Sequence, residues 1–169
     1  MMAYATRKNI RLANWDYSSH GVYHVTICTH DKACLFGRIE TPSEAQKRMD
    51  CSLTPKMSLS ELGRICESVI AQTEADYADI TLLTHVVMPN HIHLLVSIKA
   101  QAATKLGSFV RTVKARTTTQ ARKLCPNIAV WQRGYHDHII RGEHDFEATW
   151  EYIENNPAKW ADDTYYHSA

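Results

Sequence analysis

Two histidines separated by one residue, His91 and His93, stand at the beginning of an apolar, β-branched run that is typical of a strand. Successive side chains of a strand point to opposite faces, so both imidazoles are expected on one face and Ile92 on the other. Two imidazoles alone hold a divalent cation weakly, and a catalytic metal site needs a third ligand and an open position. His136 and His138 have the same spacing and an equal claim. The pattern therefore predicts half of a metal site without deciding which pair forms it.

A second candidate pair, Tyr152 and Asn156, lies near the C-terminal end of a segment with helical periodicity. Residues four apart on a helix differ by about 40° around its axis, so these two side chains face the same way. The Asn156 carbonyl oxygen is a candidate metal ligand, and Tyr152 would place a phenol beside it. With an ordinary pKa of about 10 a phenol is a poor nucleophile, and a bound metal would favour its attack on a phosphate by neutralising charge on the oxygens.

Alternating and helical patterns predict the elements that must position these residues. The helix that follows the first strand is expected to begin at a capping box formed by Ser58 and Glu61. The last helix is expected to have Asp145 as its N-cap and to bury a stripe of Phe146, Trp150 and Ile153. The predicted strands are 21–29, 80–88, 92–98 and 135–140, and the predicted helices are 59–77, 102–124 and 144–156.

The order of these elements is strand, helix, strand, strand, helix, strand, and then one extra helix. It predicts an α+β fold of the ferredoxin-like, split βαβ type, in which an antiparallel sheet carries two helices on one face. The third strand, which bears His91 and His93, is expected beside the first. On that first strand, His24 either faces the histidine pair or is an ordinary packed and hydrogen-bonded residue. The opposite face stays accessible unless the C-terminal helix packs over it.

Length and composition predict a single domain over residues 1–169, with an irregular segment at 1–20 and an insertion or loop region at 30–57. Five cysteines without a CxxC pair favour reduced thiols over a disulfide framework. No apolar run approaches the ~20 residues of a membrane span, and the N-terminus lacks the apolar core of a signal peptide. We therefore expect a cytoplasmic protein with no membrane contact.

The net charge of +1 hides an uneven distribution along the chain. From residue 80 to residue 136 there is no Asp or Glu, although eight Lys and Arg residues fall there. The acidic residues precede and follow this window. The asymmetry predicts a basic face that attracts a polyanion such as a nucleic acid.

Three segments together resemble a known family: HVVMPNHIHLL at 85–95, VWQRGYHDHIIR at 130–141 and YIENNPAKW at 152–160. They are similar to the single-tyrosine HUH transposases, and most similar to the REP-associated tyrosine transposase branch. The segments 11–18, 21–23 and 26–28 and the pair Phe36-Gly37 resemble the same family, so the likeness covers nearly the whole chain. In the residues after Lys159, Asp162 and Asp163 stand with Tyr165 and Tyr166, and we expect no basic C-terminal extension for DNA binding there.

The resemblance implies roles for the candidate residues. His91 and His93 would be the HUH ligands, Asn156 the third ligand of Mg²⁺ or Mn²⁺, and Tyr152 the nucleophile. The activity implied is cleavage of single-stranded DNA next to hairpins, which gives a 5′-phosphotyrosine and a 3′-hydroxyl that can later rejoin strands. The protein would be associated with the nucleoid of a prokaryote, as a monomer or as a homodimer that exchanges its tyrosine helices.

The resemblance also implies a DNA-binding surface, in which basic side chains contact phosphates and aromatic ones stack on unpaired bases. The expected residues are Lys105, Arg111, Lys114, Arg116, Arg122, Lys123, Trp131, Arg133 and Tyr135. Two other functions stay open on the residues alone. One is a regulator that binds hairpin or single-stranded DNA without cutting it, and the other is a histidine-metal phosphoesterase that uses water and does not need Tyr152.

Overall fold

Six strands and four α-helices follow one another between residues 20 and 166, the part of the chain that the computed structural model describes. They are β1 Gly21–Cys28, β2 Gly37–Glu40, α1 Glu44–Met49, β3 Lys56–Leu59, α2 Glu61–Ala75, β4 Ile80–Val87, β5 His91–Ile98, α3 Leu106–Leu124, β6 His136–Ile139 and α4 Glu143–Asn155. The segment expected to be irregular, 1–20, lies outside the described residues except for His20. None of the described helices has the length and apolar character required to cross a membrane.

The main sheet has four antiparallel strands in the order β4-β5-β1-β6. Strand β5 pairs with β1 on one side, where Thr26 lies opposite His93, and with β4 on the other, where Val86 lies opposite His93. The ferredoxin-like α+β fold is confirmed, with the histidine-bearing strand in the interior of the sheet next to the first strand.

One face of this sheet is the apolar core. Alternate residues of β5, Ile92, Leu94 and Val96, are fully buried there with Val25 and Ile27 of β1. Helices α2 and α3 cover this face because each has an apolar side at helical spacing. The buried residues are Leu62, Cys66, Val69 and Ile70 on α2 and Leu106, Phe109, Val110, Val113 and Ala121 on α3.

Helix α2 begins two residues later than the expected capping box. Ser58 lies in β3 and pairs with Arg38 of β2, so it does not cap the helix. Ser60 is the N-cap: its Oγ accepts the Gly63 N–H at 3.0 Å and donates to the Leu35 carbonyl at 2.7 Å. The cap therefore also ties α2 to the chain that precedes β2.

The region expected to be an insertion or loop, 30–57, contains regular structure. Strands β2 and β3 form a separate two-stranded sheet, and α1 lies between them with Ser43 and Gln46 in a capping box. Helix α1 buries no residue, so it contributes little to the core.

Helix α4 packs on the face opposite α2 and α3. Its buried residues are Thr149 and Ile153, whereas Trp150, which was expected to be buried, has 36% of its surface exposed. The predicted apolar stripe is therefore correct for Ile153, which is fully buried, and wrong for Trp150, while Phe146 is half-buried. Its N-cap is Gly142, with φ of 89°, in place of the expected Asp145, which lies in the first turn and accepts the Arg141 N–H.

Candidate active site

His91 and His93 lie side by side on the face of β5 that α4 covers. They are 0% and 1% exposed, and their Nε2 atoms are 3.0 Å apart. The Asn90 amide group donates to the Tyr165 and Lys32 carbonyls, so its Oδ1 accepts the Nδ1 hydrogen of His91 at 2.8 Å. With its hydrogen on Nδ1, His91 presents the Nε2 lone pair, the form in which imidazole binds a metal.

His93 is held from the neighbouring strand β1. Its Nδ1 lies 3.0 Å from Thr26 Oγ1 and 3.0 Å from His24 Nε2, so His24 does face the histidine pair. With these partners at Nδ1, the Nε2 atom of His93 can point its lone pair toward His91. The Nε2 atoms of the two histidines therefore face each other and could bind the same cation.

Burial keeps these imidazoles neutral. Loss of hydration lowers the pKa of His91 to about 4 and that of His24 to about 4, in His24 with a further contribution from the charge of His138. Burial also brings the pKa of His93 well below its usual value. Neutral imidazole is the metal-binding form, so the site is ready for a cation at neutral pH.

Helix α4 brings Tyr152 and Asn156 to the same place. Tyr152 Oη lies 3.4 Å from His93 Nε2, and 38% of the tyrosine surface is exposed. Asn156, at the C-cap of α4, is 1% exposed. Burial, followed by the nearby charge of Asp163, raises the pKa of Tyr152 to about 12. The four residues predicted as nucleophile and ligands are therefore neighbours within one chain.

Asp163 is a member of this cluster that sequence reasoning missed. It follows the short 3₁₀ turn Trp160–Asp162, and its Oδ2 accepts from Tyr152 Oη at 3.3 Å and from Asn156 Nδ2 at 3.0 Å. Its Oδ1 accepts the Tyr165 N–H at 2.6 Å. In the sequence, only its position shortly after the helix that carries Tyr152 could have indicated that Asp163 belongs to this cluster.

The donor set fits a divalent cation. Ligand atoms of His91, His93 and Asp163 all lie within 4.8 Å of one another, and within residues 20–166 no other group of three His, Cys, Asp or Glu side chains does so. Asn156 Oδ1 is buried and has no hydrogen-bond partner. An unpaired buried carbonyl is costly, and a cation would satisfy it.

The second histidine pair does not form such a group. His138 Nε2 lies 3.0 Å from both carboxylate oxygens of Asp145, at the exposed edge of the sheet. His136 is also exposed. The two pairs have equal spacing in the sequence, but only His91 and His93 are enclosed with further ligands.

A groove of about 770 Å³ runs between α3 and residues 128–135. Six of the nine predicted DNA-binding residues line it: Arg111, Lys114, Arg122, Trp131, Arg133 and Tyr135. A second cavity shares Trp131 and Arg133 with this groove and reaches Lys32, whose Nζ lies 5.5 Å from the centre of the Tyr165 ring. Tyr165 in turn contacts His91, so basic side chains lead from the groove toward the histidine pair.

The other three predicted DNA-binding residues lie outside the groove lining. The guanidinium of Arg116 forms an ion pair with Asp76 of α2's C-cap. Lys105 is the N-cap of α3, and Lys123 lies in its last turn.

Comparison with known proteins finds a relative in sequence and solved structures that align with this chain. An uncharacterized protein of Haemophilus influenzae is 33% identical over 180 residues, which cover 95% of this chain and 93% of that protein. The structure of a REP-associated tyrosine transposase bound to a REP hairpin is similar in fold, with a TM-score of 0.58 and 18% identity over 94% of this chain and 74% of that one. A putative transposase from Deinococcus radiodurans aligns with a TM-score of 0.44 and 18% identity, over 86% of this chain and 95% of that one.

Residues 18–156 match the sequence model of the IS200-like transposases. The match spans most of the chain, from before β1 to the end of α4, and includes His91, His93, Tyr152 and Asn156. The expected family is thereby confirmed: the chain belongs to the IS200-like transposase family.

Proposed function

We propose that this protein is a metal-dependent single-stranded DNA endonuclease and strand transferase with Tyr152 as its nucleophile. The observation that supports this most directly is the position of Tyr152 Oη, 3.4 Å from His93 Nε2 in a cluster with His91 and Asn156. A phenol that is partly exposed beside two buried neutral imidazoles is accessible to a strand and close to a cation site.

In the proposed reaction, Tyr152 Oη forms a bond to the scissile phosphorus and the bond from phosphorus to the 3′ oxygen breaks. The phenolic proton passes to solvent, which reaches the exposed part of this side chain, and the departing 3′ oxygen takes up a proton. The products are a 5′-phosphotyrosine and a free 3′-hydroxyl. Attack of a 3′-hydroxyl on the phosphotyrosine reverses these steps and joins strands.

The cation we propose is Mg²⁺ or Mn²⁺, held by His91, His93 and Asn156. When bound, it supplies neutralisation of the negative charge that develops on the phosphate oxygens. The chain's own contribution is orientation: Asn90 fixes the ring of His91, and Thr26 and His24 fix that of His93.

We propose that the DNA lies in the basic groove beside α3. A REP hairpin is the ligand of the transposase with a similar fold, which supports hairpin DNA as the substrate class here. Arg111, Arg122 and Arg133 are exposed side chains that line this groove and are suited to phosphate contacts. Tyr135 and Trp131 also line the groove and are candidates for stacking on unpaired bases. The ring of Trp131 is in contact with Phe36 as well.

The decisive experiment incubates 5′- and 3′-labelled oligonucleotides, each with a hairpin and single-stranded flanks, with the protein and Mn²⁺ or Mg²⁺. We expect a covalent adduct on a denaturing gel for wild type and none for Tyr152→Phe. Tyr166→Phe is the matched control, since Tyr166 is similarly exposed but contacts Trp160. Cleavage without an adduct would indicate a hydrolase, and binding without cleavage a regulator.

We also propose that the site acts in cis, because one chain carries Tyr152 and His93 in contact. Mixing His93→Ala protein with Tyr152→Phe protein tests this. A site in cis gives no adduct in the mixture, whereas exchange of helices between subunits would restore it.

The groove is tested with two arginines of the same helix. Arg111→Ala should weaken DNA binding and reduce the dependence of log affinity on log salt by about one. Arg116→Ala should change both less, since Arg116 is paired with Asp76 outside the groove. Fluorescence anisotropy at several salt concentrations measures both. Equal losses of DNA affinity in the two variants would contradict the proposal that the DNA lies in this groove.

A further inference from the structure

The segment after α4 returns over the histidine pair and is fixed there from two sides. The Tyr165 carbonyl accepts a hydrogen bond from Asn90 Nδ2 at 2.8 Å, and the Tyr165 ring lies 4.7 Å from the His91 ring. Asn90 therefore holds the imidazole of His91 through its oxygen and the returning chain through its nitrogen.

This anchoring delivers one carboxylate to the cluster. Asp163 receives hydrogen bonds from Tyr152, Asn156 and the Tyr165 backbone. An ionised carboxylate has about four acceptor positions, so these three bonds leave one. The carboxylate that keeps this position has a ligand atom within 4.8 Å of those of His91 and His93.

The charge and hardness of the donor set also call for this carboxylate. Two imidazoles and one amide oxygen carry no net charge, and nitrogen-rich sets favour softer metals than Mg²⁺. Hard cations prefer carboxylate and carbonyl oxygens. A set of two imidazoles, one amide oxygen and one carboxylate compensates part of the cation's charge and shifts the preference toward Mn²⁺ and Mg²⁺.

We propose that Asp163 is a further ligand of the cation site, so that residues after α4 form part of the metal centre together with His91, His93 and Asn156. This inference rests on the metal dependence in the proposed function. Its consequence is that Tyr152, which donates to the same carboxylate, is aligned by a ligand as well as by its own helix.

Two neighbouring acids provide the test. Asp163→Asn keeps the shape of the side chain and removes its charge, whereas Asp162→Asn makes the same change at an exposed position of the 3₁₀ turn. Mn²⁺ binding to the full chain without DNA is measured by titration calorimetry and by the electron paramagnetic resonance of free Mn²⁺. We expect Asp163→Asn to weaken the affinity at least about tenfold, Asp162→Asn to leave it unchanged, and Asp163→Glu to restore part of it.

The stabilisation of the protein by Mn²⁺ is a second readout that does not need activity. At a fixed excess of Mn²⁺, tenfold weaker binding lowers the added stability by about 1.4 kcal/mol. Equal affinity of Asp163→Asn and wild type overturns the inference and leaves the proposed function standing. If the wild-type protein itself binds no Mn²⁺ and His91→Ala gives the same result, the ligand role of Asp163 and the metal-dependent function are both contradicted.

Discussion

The two sides of strand β5 are equally buried and chemically opposite. Ile92, Leu94 and Val96 lie under α2 and α3, and their contribution is apolar area removed from water and close packing. His91 and His93 lie under α4 and the chain that follows it, where Asn90 and Tyr152 offer them polar atoms. Burial on the first side stabilises the fold, and burial on the second keeps imidazoles neutral.

Acidification should have the largest effect, because it protonates several buried imidazoles on the histidine side of the sheet whose pKa values are lowered. The pKa values of His24 and His91 are lowered to about 4, while unfolded histidines titrate near 6.5. Between these values the unfolded chain binds more protons than the folded one, so stability is complete above pH 6.5 and falls as the pH drops toward 4.

In that window, each of these imidazoles lowers the free energy of unfolding by at most about 1.4 kcal/mol for each unit by which the pH falls. Urea denaturation with a chelator present, between pH 4 and pH 7.5, measures the slope, which His24→Gln should reduce. A slope that His24→Gln leaves unchanged would contradict the assignment.

The second largest effect on stability is expected from a cavity on the apolar side of β5. Leu94→Ala should reduce the free energy of unfolding by about 2–5 kcal/mol, because Leu94 is fully buried in the core. Thr81→Ala, at an exposed position of the edge strand β4, should change it by less than about 0.5 kcal/mol. Urea denaturation at pH 7.5 distinguishes the two, and a similar small loss for both would mean that this face is not a packed core.

On the histidine side, the largest effect of a comparable truncation should be on binding. Asn90→Ala removes the acceptor that orients His91, and we expect Mn²⁺ affinity to fall about 10–100-fold. Asn155→Ala is the control, because Asn155 is exposed and its side chain bonds the Glu151 carbonyl on its own helix. Titration calorimetry measures both. Unchanged affinity in Asn90→Ala would show that the ring needs no orienting partner.

The smallest effect is expected where α3 meets the C-terminal end of α2. Arg116→Ala breaks an ion pair with Asp76 whose side chains are 42% and 50% exposed, so screening by solvent limits the loss of stability to about 0–1 kcal/mol. A thermal melt at low and high salt should show little difference from wild type. A larger loss would indicate that this pair supports the packing of α2 against α3.

The strands and long helices could be predicted because each follows from a short-range period, and the order of these elements predicted the sheet. The choice of His91 and His93 over His136 and His138 came from the resemblance of the segment 85–95 to a known family. Strand alternation places His91 and His93 together, and helical spacing does the same for Tyr152 and Asn156. The wrong predictions concern features that depend on contacts between elements distant in the sequence. Ser58 was the expected cap, but the pairing of β2 with β3 places Ser58 in a strand, and Ser60 caps the helix.

Asp163 and His24 show what periodicity cannot supply. Whether His24 meets His93 depends on the register of β1 against β5, in which His24 lies opposite Leu95 and Thr26 opposite His93. Asp163 reaches the site through a 3₁₀ turn and three hydrogen bonds that have no repeating pattern. Local rules predict elements well, but they do not predict where a short irregular segment returns.

The parts of the site are synthesised at different times. Tyr152 follows His93 by 59 residues, and at 5–20 residues per second the ribosome takes about 3–12 seconds to make that stretch. A chain that stops before α4 has both imidazoles and lacks Tyr152. In the proposed reaction, such a chain would have no nucleophile beside its histidines, so only chains that include α4 could react.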